Sequence, residues 1–366
     1  SFFTKQTQNI KMKTYTIKYK YKMDLSEGNS FPVDSLKIKR YQQTSLKIKQ
    51  FQKEKYFYFQ DNDKEIPYDY NKILVNVHWG QLKLFMSEFF TFIYHLNPEE
   101  LSPPLKEGEK LHILYIGAAP GDHLYVLAQL FDDYHYHLYD TQKFDARLGE
   151  LSNVTIYPKY FDDIELEKWK KKDRCLLISD IRTLSYNPGG SSKDSQRINE
   201  ESVWSDMKLQ QKWVEELNPH MSLLKFRLPF AYDFILKEGK TRKYLSGMVL
   251  RQVYNKPTSS ETRLLVSDLE KKDWDIIAYE RKLAYHNDKV RTSKFSNPIN
   301  GTEIPIYKEK GLMNDFDSTY FCVLVMDFLT SMGEVTNEEN VRNIMDFIID
   351  NMSSKKSNLL SKRAGF

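Results

Sequence analysis

Apolar and polar positions change their period several times along this chain. In QLKLFMSEFFTFIYHL, residues 81–96, apolar side chains recur at helical spacing and predict a helix. The following NPEELSPPLKEGEK has the Pro, Gly and charge content of a loop. From residue 111 onward, short apolar runs alternate with helix-period segments. LHILYIG and YHYHLYD read as strands, with DHLYVLAQLF as a helix between them. NVTIYPKYF is a further strand, DIELEKWKKK a charged helix, and RCLLISDIR a strand. The long amphipathic INEESVWSDMKLQQKWVEEL precedes the strand MSLLKFRLPF. ETRLLVSD, WDIIAYERK and TYFCVLVM continue the series as strand-like runs. Strands and helices alternating over this length predict an α/β fold, a doubly wound, Rossmann-like sheet with helices on both faces.

The alternation occupies residues 66–335. Residues 1–65 form a basic, aromatic N-terminal extension, and residues 336–366 a C-terminal helix with a flexible tail. Formal charge over the 366 residues is only +4, too weak by itself to imply nucleic acid. Its distribution says more, because the first sixty residues carry thirteen Lys/Arg against four Asp/Glu. Runs such as KMKTYTIKYKYK interleave cations with rings, which suits a phosphate backbone with stacked bases. A solvated edge strand guarded by lysines has the same pattern. The pentapeptide SLKIK occurs at 35 and again at 45, as in a locally duplicated basic hairpin. Cys175 and Cys322 both sit in apolar, strand-like stretches and are expected to be buried free thiols in a reducing compartment. No apolar run is long enough to span a bilayer, and SFFTKQTQNIKMK has no secretion-signal core. The initial Ser in place of Met points to a trimmed or tagged chain. The expectation is a soluble, intracellular protein without zinc-ligand spacing.

The turn in YIGAAPGDH ends the first predicted strand, where open α/β sheets place their ligands. It lacks the Lys of a phosphate loop and the spacing of the dinucleotide fingerprint. S-adenosylmethionine is the remaining common occupant, since small residues let its methionine portion lie against the backbone. Asp140 ends the next strand about twenty residues on and can accept hydrogen bonds from both ribose hydroxyls. A tight turn beside a strand-end Asp is the plainer alternative.

Other strand ends carry charge. Asp180 closes LLISDIR, Lys225 lies in SLLKFRLPF, Glu261 opens a later strand, and Lys83 sits in the early helix. Singly, each reads as a surface salt-bridge partner. Together they give the order Lys-Asp-Lys-Glu around a cofactor turn. Methyl transfer to a ribose 2′-hydroxyl needs a base for a poorly acidic proton, and a lysine serves if burial or a second ammonium lowers its pKa. Lys225 is the expected base and Lys83 the neighbouring cation, with Asp180 and Glu261 orienting both. Displacement at a sulfonium requires no metal, and positioning supplies most of the acceleration.

GQLKL, YIGAAPGDH, LLISDIR, LNPHMSLLKFRLPF and SSETRLL resemble motifs of the poxviral cap-specific mRNA 2′-O-methyltransferases, a family that doubles as the processivity subunit of poly(A) polymerase. The resemblance covers roughly residues 66–290, and more broadly the chain is similar to FtsJ-like ribose methyltransferases. It implies that Lys83, Asp180, Lys225 and Glu261 are the catalytic tetrad. It further implies a cofactor site lined by Gln81, Tyr115, Gly117, Ala119, Pro120, Gly121, His123, Asp140 and Asp180, with Phe161 and Ile181 against the adenine. The family's Arg two residues after the ribose Asp is Gln142 here. The cap pocket implied by the resemblance stacks a cationic methylated guanine between two rings and reads its edge with carboxylates. Phe230 is one ring, Tyr68 or Tyr70 the other, and Glu280 one carboxylate. The family's second acid falls on Tyr232, with Asp233 adjacent.

The implied function is transfer of methyl from S-adenosylmethionine to the first transcribed nucleotide of m7G-capped mRNA, leaving S-adenosylhomocysteine. A cap-independent RNA ribose methyltransferase and a non-catalytic accessory subunit of poly(A) polymerase or another transcription enzyme are the alternatives. Richness in Lys, Tyr, Asn, Ile and Phe fits an AT-rich coding sequence and a cytoplasmically replicating element, a large DNA virus or a yeast linear plasmid.

Overall fold

Strands made of near-continuous apolar runs have no face to give to water, so both sides of their sheet must be covered. The computed structural model describes residues 49–69, 78–96, 105, 109–170, 175–183, 192–256, 259–299 and 315–352. In chain order its elements begin with the short α1 (Lys53–Tyr56), α2 (Gly80–Tyr94), β1 (His112–Ile116), α3 (Asp122–Leu130) and β2 (His135–Tyr139). A 3₁₀ turn (Ala146–Glu150) leads to β3 (Val154–Tyr157), α4 (Asp163–Trp169), β4 (Cys175–Ser179), α5 (Ser192–Leu217) and β5 (Met221–Phe226). Then follow α6 (Asp233–Glu238), β6 (Thr241–Leu245), β7 (Met248–Leu250), β8 (Thr262–Val266) and β9 (Lys271–Asp275). The helices α7 (Ile276–Tyr285), α8 (Phe316–Ser331) and α9 (Glu338–Asn351) close the series.

Seven strands form one sheet in the order β3-β2-β1-β4-β5-β8-β7. The first five are parallel, while β8 runs antiparallel to both β5 and β7. Strand order reverses between β1 and β4, and this switch point opens a crevice at the carboxyl ends. One face packs Ile113, Tyr115, Ile178 and Leu223 against α2, α3, α8 and α9. The other packs Leu114, Ile116, Leu177 and Leu224 against α4, α5 and α7. The predicted doubly wound α/β arrangement is therefore the observed one.

Two strand readings are corrected. TYFCVLVM lies inside α8, whose N-cap Asp315 accepts a hydrogen bond from the Ser318 backbone N–H at 2.9 Å. Phe321, Cys322, Leu324, Val325 and Phe328 all enter the core, so this helix has no polar stripe to reveal its 3.6-residue period. WDIIAYERK straddles the end of β9 and most of α7, split where the Asp275 carboxylate accepts from the Ala278 N–H at 2.9 Å. Cys175 and Cys322 are both buried free thiols, though only Cys175 lies in a strand.

Phe51, Tyr56 and Phe57, within the segment assigned to the basic extension, pack in the first core cluster. Residues before 49 and after 352 lie outside those described. Among the described residues no helix is long and apolar enough to cross a membrane.

The crevice depends on Gly117, which ends β1 at φ +83°, a conformation that side chains disfavour. A Cβ there would stand 2.9 Å from the Ile181 backbone nitrogen and 3.0 Å from the Asp180 carbonyl carbon. Gly117→Ala is expected to lower the unfolding free energy by about 2 kcal/mol. Urea denaturation checks this, and an unchanged midpoint would show that the two strand ends have room to spare.

Candidate active site

Lys83, Asp180, Lys225 and Glu261 come from four different elements and meet at the carboxyl-end crevice. Glu261 bridges the two lysines: its Oε1 accepts from Lys83 Nζ at 2.5 Å, and its Oε2 stands 3.6 Å from Lys225 Nζ. Lys225 Nζ lies 3.2 Å from Asp180 Oδ1. Asp180 is fixed where β4 ends, its backbone N–H donating to the Ile116 carbonyl at 2.9 Å.

The segment after β7 holds Lys83's helix against Glu261's strand. Tyr254 is buried at φ +55°, strained for a side-chain-bearing residue, and its neighbours over-determine that conformation. Its carbonyl accepts from the Trp79 N–H at 2.9 Å, and its own N–H donates to Asp317 Oδ2 at 2.9 Å. The adjacent Asn255 Nδ2 donates to the Glu261 carbonyl at 3.0 Å.

Sequence reasoning missed Arg263. It is the cross-strand partner of Lys225, and two cations directly opposite on a sheet repel unless an anion separates them. Asp180 is that anion: Oδ1 accepts from the Arg263 Nη2 group, while Arg263 Nη1 donates to the Ser179 carbonyl at 3.2 Å. The clue was a basic residue inside the apolar strand TRLLV. Arg182, also missed, stands 3.8 Å from Asp206 and 4.0 Å from Glu261.

Charge at this site is set by burial against neighbours. Lys225 is only 8 % exposed, and burial pushes its ammonium pKa down. Asp180 and Glu261 oppose that shift while Lys83 and Arg263 reinforce it, and the net direction is downward. Burial pushes Asp180 up, but Arg263, Lys225 and Lys83 outweigh it and hold the carboxyl at about 2. Glu261 is likewise raised by burial and lowered further by Lys83, Lys225 and Arg263, ending well below the usual carboxylate range. The site therefore holds two ionised carboxylates and a buried ammonium, Lys225, whose pKa is lowered.

On the β2 side, Asp140 Oδ2 accepts from the Ala119 N–H at 3.0 Å and Oδ1 from the Gln142 N–H at 2.8 Å. Each oxygen keeps a lone pair for a further donor. Pro120 follows a cis bond, and Gly121 (φ +75°) caps α3. Gln81 Oε1 faces His123 Nδ1 at 2.8 Å. The fully buried Tyr115 turns its hydroxyl to Glu88 Oε1 at 2.7 Å. Phe161 packs edge-on to Tyr139 and Trp213 at 5.1 and 5.5 Å, and Ile181 is half-buried beside the second core cluster. A glycine turn with a carboxylate that keeps free lone pairs on one side and a buried lysine on the other fits an adenosyl methyl donor.

Beyond β5, Phe230 and Tyr68 lie 5.5 Å apart at 59°, and the Arg227 guanidinium sits 4.7 Å over the Phe230 ring. Glu280 Oε2 accepts from the Ala231 N–H at 2.8 Å. Glu200, missed as a site residue, accepts from the Phe230 N–H at 3.0 Å and pairs with Arg227. Asp233 is exposed at the start of α6. Tyr70 lies outside the described residues.

A family model described as poly A polymerase regulatory subunit matches residues 50–349 of the chain. The cap-specific mRNA (nucleoside-2′-O-)-methyltransferase of fowlpox virus (strain NVSL) is 32 % identical over 245 residues, 61 % of this chain and 73 % of the relative. The protein of the same name from myxoma virus (strain Lausanne) is 28 % identical over 257 residues, 64 % of this chain and 70 % of the relative.

The depressed carboxylates give the fold an acid limit. Asp180 has an ordinary value of 3.8 and a folded value of about 2, so its stabilisation is full above pH 3.8 and is lost as pH falls toward 2. The amount lost is about 2 kcal/mol. Urea midpoints measured from pH 6 to pH 2.5, a range chosen around these values, are expected to fall less steeply in Asp180→Asn than in the unaltered chain. Parallel curves would mean that Asp180 is not held ionised by its cations.

Proposed function

Because the chain belongs to the poly A polymerase regulatory subunit family, we propose that it is a cap-specific mRNA ribose 2′-O-methyltransferase. It acts on the first transcribed nucleotide of m7G-capped RNA and draws its methyl from S-adenosylmethionine. The observation that carries this reading is Lys225, buried with a lowered pKa at the carboxyl-end crevice and bracketed by Asp180, Glu261 and Lys83. The names of the fowlpox and myxoma relatives describe the same activity.

Bound against the glycine turn, S-adenosylmethionine supplies an electrophilic methyl on a cationic sulfonium and leaves as S-adenosylhomocysteine. The chain's residues do the rest. Asp140 holds the ribose through its spare lone pairs. Lys225 Nζ, in its neutral form, accepts the proton of the RNA 2′-hydroxyl while that oxygen bonds to the methyl carbon. Asp180 and Glu261 fix the direction of the lysine and stabilise its ammonium once the proton arrives, while Lys83 and Arg263 favour its neutral form beforehand.

Phe230 and Tyr68 form the cap-reading ring pair, with Glu200 and Glu280 holding the backbone between Phe230 and Ala231. A cation such as the methylated guanine gains from both aromatic faces, which uncapped RNA does not offer. The family description supports poly(A) polymerase as a protein partner, bound independently of the chemistry. The setting proposed is the host cytoplasm, where a virus or virus-like element caps its own messages.

Lys225→Ala is expected to reduce methyl transfer by about a thousandfold or more, the scale of a lost general base. S-adenosylhomocysteine affinity and any co-purifying polymerase should be retained, so radiolabelled transfer assays and calorimetry on the same sample decide the matter. Activity surviving in Lys225→Ala, with polymerase bound, would instead favour a non-catalytic accessory subunit. Phe230→Ala should bring the rates on capped and uncapped transcripts together. Equal rates already present in the unaltered protein would make it a cap-independent RNA methyltransferase.

A further inference from the structure

A buried polar chain runs beneath the cofactor turn and is not used by the tetrad. Tyr115, in the middle of β1, donates its hydroxyl to Glu88 Oε1 at 2.7 Å. Glu88 Oε2 stands 3.2 Å from His123 Nε2, near the start of α3. The other ring nitrogen, Nδ1, lies 2.8 Å from Gln81 Oε1, which also faces the His123 backbone N–H at 3.4 Å. Tyr115, Glu88 and His123 are each 1 % exposed or less.

The donors and acceptors of this chain can be assigned in order. A carboxamide oxygen only accepts, so His123 Nδ1 carries a hydrogen and donates to Gln81. Glu88 Oε1 already accepts from Tyr115, which leaves Oε2 and His123 Nε2 facing each other at a slant in a buried space. Neither atom has a hydrogen-bond partner among the described residues, so a donor group at the Glu88 position would satisfy His123 Nε2. Glu88 and Gln81 are seven residues apart on α2, two turns along one face, so one helix supplies both ends of the relay. Its consequence appears at Gln81: the oxygen is committed to His123, and only the amide nitrogen can be offered to a ligand.

We propose that Glu88 is a positioning residue for the amino-acid arm of the methyl donor, aiming the Gln81 amide nitrogen at the arm's carboxylate through His123. This rests on the reading of the glycine turn as an S-adenosylmethionine site. With Asp140 on the β2 side to hold the ribose and Lys225 on the β5 side to face the sulfonium, the arm would be left to the third side of the turn. Gln81 and the first turn of α3 stand there.

The test compares two ligands on the full chain by calorimetry: S-adenosylhomocysteine, and 5′-methylthioadenosine, which keeps the nucleoside but lacks the arm. Gln81→Ala, His123→Leu and Glu88→Ala should each weaken S-adenosylhomocysteine about tenfold to a hundredfold, the worth of a hydrogen bond to a charged group. Binding of 5′-methylthioadenosine should be unmoved. Glu88→Gln can donate to His123 Nε2 and accept from Tyr115, and it should recover the affinity lost in Glu88→Ala. Equal weakening of both ligands, no weakening in Glu88→Ala, or failure of Glu88→Gln to rescue overturns the proposal. Should Glu88→Ala not fold, His123→Leu cuts the same relay and must give the same ligand-selective loss. An unaltered protein that binds neither ligand would instead sink the underlying cofactor assignment.

Discussion

One carboxylate with an ammonium group at each oxygen organises this molecule. Glu261 meets Lys83 from a helix and Lys225 from a strand, while Asp180 closes the ring from a third element. Taking such charges out of water costs several kcal/mol per ion, regained only when every charge has partners in good geometry. Here Lys83, Lys225, Arg263 and Arg182 face Asp180, Glu261 and Asp206, so four cations stand against three carboxylates. An excess of buried positive charge is relieved when its most desolvated ammonium gives up a proton. Burial is the largest cause of the lowered Lys225 pKa, the direction its proposed role as base requires.

Sheet topology makes that ring possible. Because strand order reverses between β1 and β4, the crevice has a β2 wall bearing Asp140 and a β4–β5–β8 wall bearing the ion cluster. Gly117 lets the two walls approach until a methyl group no longer fits between them. Antiparallel β8 brings its starting end, and so Glu261, to the edge where the parallel strands finish. A parallel strand there would have carried Glu261 to the opposite side of the sheet. Tyr254, bound to both α2 and α8 through its backbone, locks the helix carrying Lys83 onto this wall.

Much of this was legible in the chain. Short apolar runs ending in Gly, Asp or Lys located β1, β4 and β5, and the order of four charged residues identified the cluster before any geometry. The failures have physical causes. TYFCVLVM carries no periodicity because α8 is buried on all sides, so its helical nature comes from tertiary surroundings that the segment does not encode. Arg263 looked like an ordinary strand residue because its partner Asp180 is 83 positions away in sequence. Glu88 sits in an apolar helix as an isolated acid, and only the approach of β1 and α3 gives it partners. Pairings made by long-range contact leave no local trace.

The two halves of the site differ in readiness. The lysines and carboxylates already stand at bonding distances, whereas the Tyr68 and Phe230 rings are 5.5 Å apart and tilted at 59°. A base stacked between two rings needs about 7 Å, twice the van der Waals separation. Under the proposed cap reading those rings must part, at the cost of their mutual contact of about 1 kcal/mol. A neutral base regains about 1–3 kcal/mol by stacking, which already offsets that loss. A methylated guanine adds about 0.5–2 kcal/mol of cation–π attraction at each desolvated face. Under the proposed reading, a charged base therefore gains more from the opened pair than an uncharged one does.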